Sequence, residues 1–293
     1  MADKTRIEWT DATWNPVTGC TKVSAGCKHC YAERDWARLS ANPQTRYYGR
    51  EFTDVQCHPD VLDLPLRWTK PRRIFVNSMS DLFHPTIPIQ FLDDVMMTME
   101  LAKHHTFQVL TKRPTEMLDA LQRIGTPVPQ NVWLGVSVED QATADERIPL
   151  LLQAPATVRW ISAEPLLGPI DLTRLPEVTC ASECCGMQRL DALTGQSICD
   201  LSEQAFDKNA HIDWVVAGGE SGPKARPMHP DWVRGLRDQC AAAGVPFLFK
   251  QWSEFWPAIL DRKPPEVIMC RVGKKLAGRV LDGIEHNGYP ETS

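Results

Sequence analysis

The stretch "RIFVNSMSDLFHPTIPIQFLDDVMMTMELAKHHTFQVLTKR" (residues 73–113) contains the repeating unit that decides the fold. It begins with the apolar run RIFVNS (73–78), continues through an amphipathic stretch (88–105) and ends in a second apolar run, TFQVLT (106–111). Apolar runs without clean alternation suit strands that are covered on both faces, as in a parallel sheet. The stretch therefore predicts a strand, a helix and a second strand parallel to the first.

The same unit recurs along the rest of the chain. A first strand is expected around 12–20, and the other apolar runs predict strands at 131–137, 157–162, 213–219 and 246–251. Amphipathic stretches predict helices between them at 114–124, 140–154 and 229–244. Alternation of this kind indicates right-handed β/α units and an α/β protein. We predict a complete or partial (β/α) barrel of parallel strands, with a doubly wound sheet as the alternative.

One segment interrupts the rhythm. About forty residues separate the predicted strands at 157–162 and 213–219, and a connection of this length usually carries a function or a small structure of its own. We interpret 172–210 as a Cys-rich insertion into a barrel-like domain formed by 1–171 and 211–293.

The composition limits the possible functions. The chain has 293 residues, 43% hydrophobic content and a net charge of −5, which argues against nonspecific coating of nucleic acid. It has no apolar run of membrane-spanning length and no apolar signal core at its N-terminus, so we expect a cytoplasmic protein without a membrane partner. In a reducing compartment, clustered cysteines are more often metal-binding or catalytic than disulfide-bonded.

The first cysteine cluster lies in "TGCTKVSAGCKHCYAER" (18–34), where Cys20, Cys27 and Cys30 have the spacing Cys-x6-Cys-x2-Cys. A structural zinc site needs a fourth ligand. His29, Cys57 and His58 are the candidates. Iron–sulfur clusters are held by cysteine thiolates, and three of them leave one iron open to bind a cofactor. Both interpretations remain open at this point.

The second cysteine cluster lies in the predicted insertion. Its spacing is irregular for a zinc ribbon, so zinc and a second iron–sulfur cluster are both possible ligands of these thiols. The cysteines concerned are Cys180, Cys184, Cys185 and Cys199, with His211 nearby in sequence.

Polar residues follow nearly every predicted strand. In a β/α barrel the reactive side chains gather at the carboxyl ends of the strands. Any one of these residues, taken alone, could instead be a helix cap or a solvated loop residue. Together they predict a site for a polar, partly charged ligand. The set is Ser78, Ser80, Asp81, His84, Lys112, Arg113, Ser137, Glu139, Asp140, Glu164, the segment GGESG (218–222, with Gly218, Gly219 and Glu220), Lys250, Gln251 and Trp252.

The cysteine loop resembles that of the radical S-adenosylmethionine superfamily, although most members have three residues, not six, in the first interval. The chain is also similar to an uncharacterised family common in bacteriophage and prophage genomes, and that resemblance covers nearly all of it apart from 172–210. The motifs concerned are "WNPVTGC", "GCKHCYAER", "NSMSDLFH", "LTKRP", "GVSVE", "GGESGPKARPM", "FKQW" and "GKKLAGRVLDG".

The superfamily resemblance implies a mechanism. Cys20, Cys27 and Cys30 would hold a [4Fe-4S] cluster whose open iron binds S-adenosylmethionine. Reduction by an electron donor would release a 5′-deoxyadenosyl radical that takes hydrogen from a substrate. We expect a small molecule, a nucleotide or a nucleic acid as that substrate.

The resemblance also implies individual roles. Tyr31 would pack near the cluster or the adenine, and the strand-end residues would contact the rest of the cofactor and the substrate. For the methionine part of the cofactor, Ser78, Ser80 and Asp81 would bind the amino group and Lys112 or Arg113 the carboxylate. Ser137 and Glu139 would contact the ribose, and Gly218 and Gly219 belong to the cofactor-binding set. Glu164, Glu220 and Lys250 would be the catalytic residues, in contact with substrate or adenine.

Two alternatives follow from the same residues. The first is a zinc-binding phage protein that interacts with nucleic acid or resembles a nuclease, with a structural cysteine site. The second is a degenerate barrel that keeps a cluster for stability or sensing and has lost turnover.

Overall fold

The central element is a parallel sheet whose seven strands are ordered in the sheet as they are in the chain. We use a computed structural model, which describes residues 5, 7–176, 188–199, 205–207, 210–260 and 266–291. The strands are β1 (Ala12–Trp14), β2 (Arg73–Val76), β3 (Thr106–Thr111), β4 (Val132–Ser137), β5 (Val158–Ala163), β6 (Trp214–Gly218) and β7 (Phe247–Gln251).

Five helices accompany the sheet: α1 (Tyr31–Ser40), α2 (Ile89–Leu101), α3 (Pro114–Ile124), α4 (Gln141–Leu151) and α5 (Pro230–Ala243). Their ends follow local sequence signals. Pro114 and Pro230 occupy the first helical position, where a missing N–H has no consequence. Asp140 caps α4 by accepting from the backbone N–H of Thr143.

The α/β prediction is confirmed. Each predicted strand and helix exists, and the parallel order matches consecutive β/α units. The first strand ends at Trp14, earlier than the expected 12–20, and the other ends are displaced by no more than a few residues. Within the described residues β1 and β7 are the edge strands, so the sheet corresponds to the partial form of the predicted barrel. Helix α1 was not predicted.

Contacts divide the chain into two units. The first comprises 1–136 with 154–158, and the second comprises 137–153 with 159–293. Trp14 and Phe107 are buried in the core of the first unit, and Trp160, Trp214 and Phe249 in that of the second. Burying each such ring stabilises the fold by about 2 to 3 kcal/mol. The predicted separation of 172–210 from the rest stays a prediction.

Short elements complete the description. Antiparallel pairs join Val17–Thr18 to Gln56–Cys57 and Phe255–Leu260 to Glu266–Arg271. No helix of the described residues is long and apolar enough to cross a membrane. The remaining elements are a four-stranded antiparallel sheet (Leu175–Pro176, Gln188–Asp191, Gln196–Cys199 and Ala205–Asp207), the helix Lys274–Ala277 and 3-10 turns at Ala25–Cys27, Pro59–Val61 and Pro65–Arg67.

Candidate functional site

The cysteine loop of the first unit begins directly after the short strand that follows β1. Gly19 has a φ of +93°, and a Cβ at this position would collide with the backbone carbonyl of Asp54, so only glycine fits. The Gly19 N–H donates to the carbonyl of Met79 (3.1 Å), and the Cys20 N–H donates to that of Phe52 (2.9 Å). The backbone at Cys20 is therefore fixed on both sides.

The three thiols of this loop are close enough to influence one another, because the charges of Cys27 and Cys30 affect the pKa of Cys20. Burial, together with the charges of Asp81, Cys27 and Cys30 and against the opposing effect of Arg113, raises the pKa of Cys20 to about 12. Burial also raises the pKa of Cys30, while the backbone N–H groups of Glu33 and Ala32 in the first turn of α1 oppose that rise. Without a metal, Cys20 and Cys30 are thus neutral thiols at pH 7.

The position of Cys30 at the start of α1 suits a metal-bound thiolate, because the first N–H groups of a helix stabilise an anionic sulfur. Cys27 lies in the turn Ala25–Cys27, three residues before. The donor set of three cysteine sulfurs fits an iron–sulfur cluster. Among the described residues, however, no three His, Cys, Asp or Glu side chains are already arranged to hold a metal ion.

Asp81 connects the ends of β2 and β3. Its carboxylate accepts from the Thr111 hydroxyl (2.7 Å) and from the backbone N–H groups of Phe83 (3.1 Å) and Lys112 (3.0 Å). The side chain is buried, and these three donors satisfy its carboxylate oxygens beside the cysteine loop. The structure thus brings together Asp81 and Lys112, which the sequence placed at the same end of neighbouring strands.

Arg113 is hydrogen-bonded to the cysteine loop. Its Nη2 donates to the hydroxyl (2.8 Å) and the carbonyl (3.1 Å) of Thr21, the residue after Cys20. The Thr21 hydroxyl also contacts Nε2 of His84 (2.9 Å), whose pKa is lowered by burial and by Arg113. Thr21 was absent from the predicted set, since only the fold brings it to Arg113, whereas His84 was among the predicted strand-end residues without an assigned role.

Ser78 and Ser80, the predicted residues after β2, form hydrogen bonds with the segment that follows β1. The Ser78 hydroxyl donates to the side-chain oxygen of Asn15 (3.1 Å), and the Ser80 hydroxyl donates to the carbonyl of Val17 (2.9 Å). The Tyr31 hydroxyl donates to the carbonyl of Ser78 (2.6 Å), which ties the start of α1 to this segment. Their contacts with a methionine amino group or an adenine stay predictions, and Asn15 was not predicted.

In the second unit, Glu139 is completely buried and paired with Arg147 of α4. The distance from Nη1 of Arg147 to the carboxylate is 3.2 Å, and the same nitrogen donates to the carbonyl of Ser137 (2.8 Å). The predicted ribose contacts of Ser137 and Glu139 stay predictions, while in this structure both residues are engaged by Arg147.

Glu220 is paired with Arg226 in the loop after β6. The guanidinium donates to both carboxylate oxygens, and the Arg226 backbone N–H donates to one of them as well (2.8 Å). Glu220 is buried, and its own carbonyl accepts from the Ser253 hydroxyl. Arg226 was not predicted, although it lies in the quoted GGESGPKARPM motif.

Glu164 and Lys250 form another ion pair of this unit, with 3.0 Å between the carboxylate and the ammonium. Gly218 makes room for it, because a Cβ there would approach Oε1 of Glu164 to 2.7 Å. A Cβ on Gly219 would collide with the carbonyl of Trp252. The structure therefore brings the predicted Glu164, Lys250 and Gly218 into contact, and it gives Gly219 a packing role.

The second cysteine cluster is described only in part. Cys180, Cys184 and Cys185 lie outside the described residues, and Cys199 ends the strand Gln196–Cys199. His211 pairs with Asp213 (3.3 Å). A metal site in the insertion stays a prediction.

Comparison with known proteins places the chain in a family. A family model described as "Protein of unknown function (DUF5131)" matches residues 4–290. Neither the curated proteins nor the solved structures contain a match to the chain. The chain belongs to the DUF5131 family.

Proposed function

We propose that this member of the DUF5131 family is a radical S-adenosylmethionine enzyme that acts on a nucleobase or nucleotide. Cys20, Cys27 and Cys30 hold its [4Fe-4S] cluster. The observation that carries the proposal is the cysteine loop itself: three thiols share one electrostatic neighbourhood, directly after the first strand of a parallel β/α sheet. The resemblance of its motifs to the radical superfamily supports the same assignment.

When bound, a cluster of this kind supplies the electron that releases a 5′-deoxyadenosyl radical from S-adenosylmethionine. The residues around the loop keep its ligands in place. The helix N-terminus at Cys30 stabilises thiolate charge, and Arg113 fixes the backbone next to Cys20 through Thr21. The backbone N–H of Lys112 is engaged by Asp81, and its ammonium is the group proposed to bind the methionine carboxylate.

The second unit is assigned to the substrate. Glu164 and Lys250 keep part of their side-chain surface in solvent, whereas Glu139 is fully buried against its arginine. An exposed ammonium and carboxylate bind and orient polar groups of a substrate and exclude water from them once it is bound. The cytoplasm, whose reducing conditions keep the thiols available for iron, is the proposed compartment.

The test is the metal that the protein carries when it is produced and purified without oxygen. We expect a brown protein with thiolate-to-iron charge-transfer absorbance and iron in excess of zinc. Colourless protein with one zinc per chain and no iron would contradict the radical mechanism and favour the zinc-binding, nucleic-acid-interacting alternative. Iron-loaded protein that never cleaves S-adenosylmethionine would instead favour the degenerate barrel.

A further inference from the structure

Three ion pairs of the second unit involve a glutamate that follows a strand of the parallel sheet, and they differ in how much of each pair is available to a ligand. In the Glu139–Arg147 pair the exposed side-chain fractions are 0% and 2%, and Glu220 (4%) is bound by three hydrogen bonds from Arg226. In the third pair, Lys250 keeps 19% of its side-chain surface and Glu164 keeps 13%. Arg226 keeps 28% of its side-chain surface while its partner Glu220 is buried, so Glu164 and Lys250 are the pair, of these three, in which a ligand can reach both partners.

This pair has unused hydrogen-bonding capacity. An ammonium has three N–H donors, and within the described part of the chain the partner of Lys250 is Oε1 of Glu164. The other carboxylate oxygen, Oε2, has the Ser162 hydroxyl at 3.4 Å as its partner, which is a long hydrogen bond. The intact pair thus presents a donor and an acceptor side by side.

A second observation points to a ligand at the same strand end. Gln251 follows Lys250 in β7 and is buried, and its amide nitrogen donates to the Ser221 hydroxyl (2.8 Å). Its Oε1 is buried without a hydrogen-bond partner among the residues that the structure describes. A buried acceptor without a donor marks a position at which water or a ligand completes the hydrogen bonding.

The charge balance restricts what the ligand can be. The Glu164 carboxylate is matched by the Lys250 ammonium, so the pair is neutral. An anion or a cation would bring unpaired charge to it, and a zwitterion would have to separate two groups that are 3.0 Å apart. A neutral edge with an N–H donor next to a carbonyl acceptor satisfies the pair without separating it.

We propose that Glu164 and Lys250 bind the lactam edge of a nucleobase, guanine or uracil, with the ring N–H donating to Oε2 of Glu164 and the ring carbonyl accepting from Lys250. The inference rests on the proposed nucleobase substrate and specifies its chemistry. Guanine offers N1–H beside O6, and uracil offers N3–H beside O4, so each presents the complementary donor and acceptor.

The experiment uses the full-length, anaerobically purified protein and isothermal titration calorimetry. The probes are guanosine and uridine, each compared with the analogue that is methylated on the ring nitrogen (1-methylguanosine and 3-methyluridine). We expect at least one of the two nucleosides to bind at least tenfold more tightly than its methylated analogue. Equal affinity within both pairs, or no binding by either nucleoside, would overturn the proposal.

Variants locate the site. Glu164→Gln and Lys250→Met should each weaken nucleoside binding at least tenfold, while Lys275→Met, at an exposed lysine of the same unit, should leave it unchanged. The double variant Glu164→Lys/Lys250→Glu keeps an ion pair but exchanges donor and acceptor, so it should remain folded and fail to bind. Unchanged binding in any of the first two or in the exchanged variant would overturn the assignment.

The iron content of the same preparations separates this proposal from the proposed function. Iron-loaded protein that cleaves S-adenosylmethionine but binds neither nucleoside would refute the lactam site alone. Colourless protein whose nucleoside binding depends on Glu164 and Lys250 would refute the radical mechanism and leave the site in place.

Discussion

The guanidinium of Arg147 lies 3.2 Å from the carboxylate of Glu139, and both side chains are removed from solvent. A buried ion pair of this kind adds little stability compared with an apolar pair of similar shape, because both charges lose their hydration. Loss of one partner has a much larger effect, since the other charge is then left buried and unpaired.

Replacing Arg147 alone should therefore destabilise the protein strongly. We expect Arg147→Met to lower the free energy of unfolding by about 3 to 5 kcal/mol, because the Glu139 carboxylate loses its counter-charge. The double variant Arg147→Met/Glu139→Gln should recover more than half of that loss. Urea denaturation followed by circular dichroism measures both, and a single variant as stable as the parent would show that Glu139 does not depend on Arg147.

The cysteine loop should depend on Gly19. In Gly19→Ala the new Cβ meets both a positive φ and the Asp54 carbonyl, so we expect lower stability and lower iron content. Gly49→Ala is the matched control, because Gly49 also has a positive φ (+69°) but open space around its Cβ. The control should lose about 1 to 2 kcal/mol and keep its iron. Equal iron content in the two variants would argue against a loop that is fixed at Gly19.

His58 should make stability depend on pH. Burial lowers its pKa from 6.5 to about 4, and its Nε2 contacts the Thr18 hydroxyl at 2.7 Å. The unfolded chain therefore binds the proton more readily, so the stability that neutral His58 gives is fully present above pH 6.5 and is lost as the pH falls towards 4. We expect this loss to be about 2 to 3 kcal/mol.

The control for that prediction is His58→Gln, which is neutral at every pH in this range. Its free energy of unfolding should change less than that of the parent between pH 7 and pH 4. The same pH dependence in both proteins would assign the effect to other groups.

Gly218→Ala should displace the Glu164 carboxylate without unfolding the protein. The Cβ at this position approaches Oε1 of Glu164 to 2.7 Å, and a side-chain carboxylate can move away where a backbone carbonyl cannot. We expect weaker nucleoside binding with a small change in melting temperature. Gly219→Ala, whose Cβ meets the backbone carbonyl of Trp252, should instead lower the melting temperature markedly. The reverse order of melting temperatures would contradict the roles assigned to the two glycines.

The parallel sheet could be predicted because its strands are apolar on both faces and its helices have clear apolar periodicity. Helix α1 (Tyr31–Ser40) escaped prediction because Ala32 and Trp36 are its buried residues, which is too sparse a pattern to read from sequence. The antiparallel strands Phe255–Leu260 and Glu266–Arg271 also escaped, since Pro257 within the first argues against a strand.

The sequence identified several residues of the candidate site, but it did not identify the side chains with which they pair. Strand-end position identified Glu139, Glu164 and Glu220, because carboxyl ends of parallel strands meet at one edge. Arg147 lies in the helix predicted at 140–154, and only the packing of the fold shows that it neutralises Glu139. The cysteine spacing was visible in the sequence, whereas the anchoring of the loop by Arg113 through Thr21 depends on residues about ninety positions apart.

The most direct test of the central claim is S-adenosylmethionine cleavage by anaerobic, dithionite-reduced protein, measured as 5′-deoxyadenosine released. The parent protein should release it, and Cys57→Ala, which changes a half-buried cysteine outside the loop, should do the same with its iron intact. Cys27→Ala should lose both the iron and the product. Iron-free parent protein, or parent and Cys27→Ala proteins that release equal amounts of 5′-deoxyadenosine, would contradict the account.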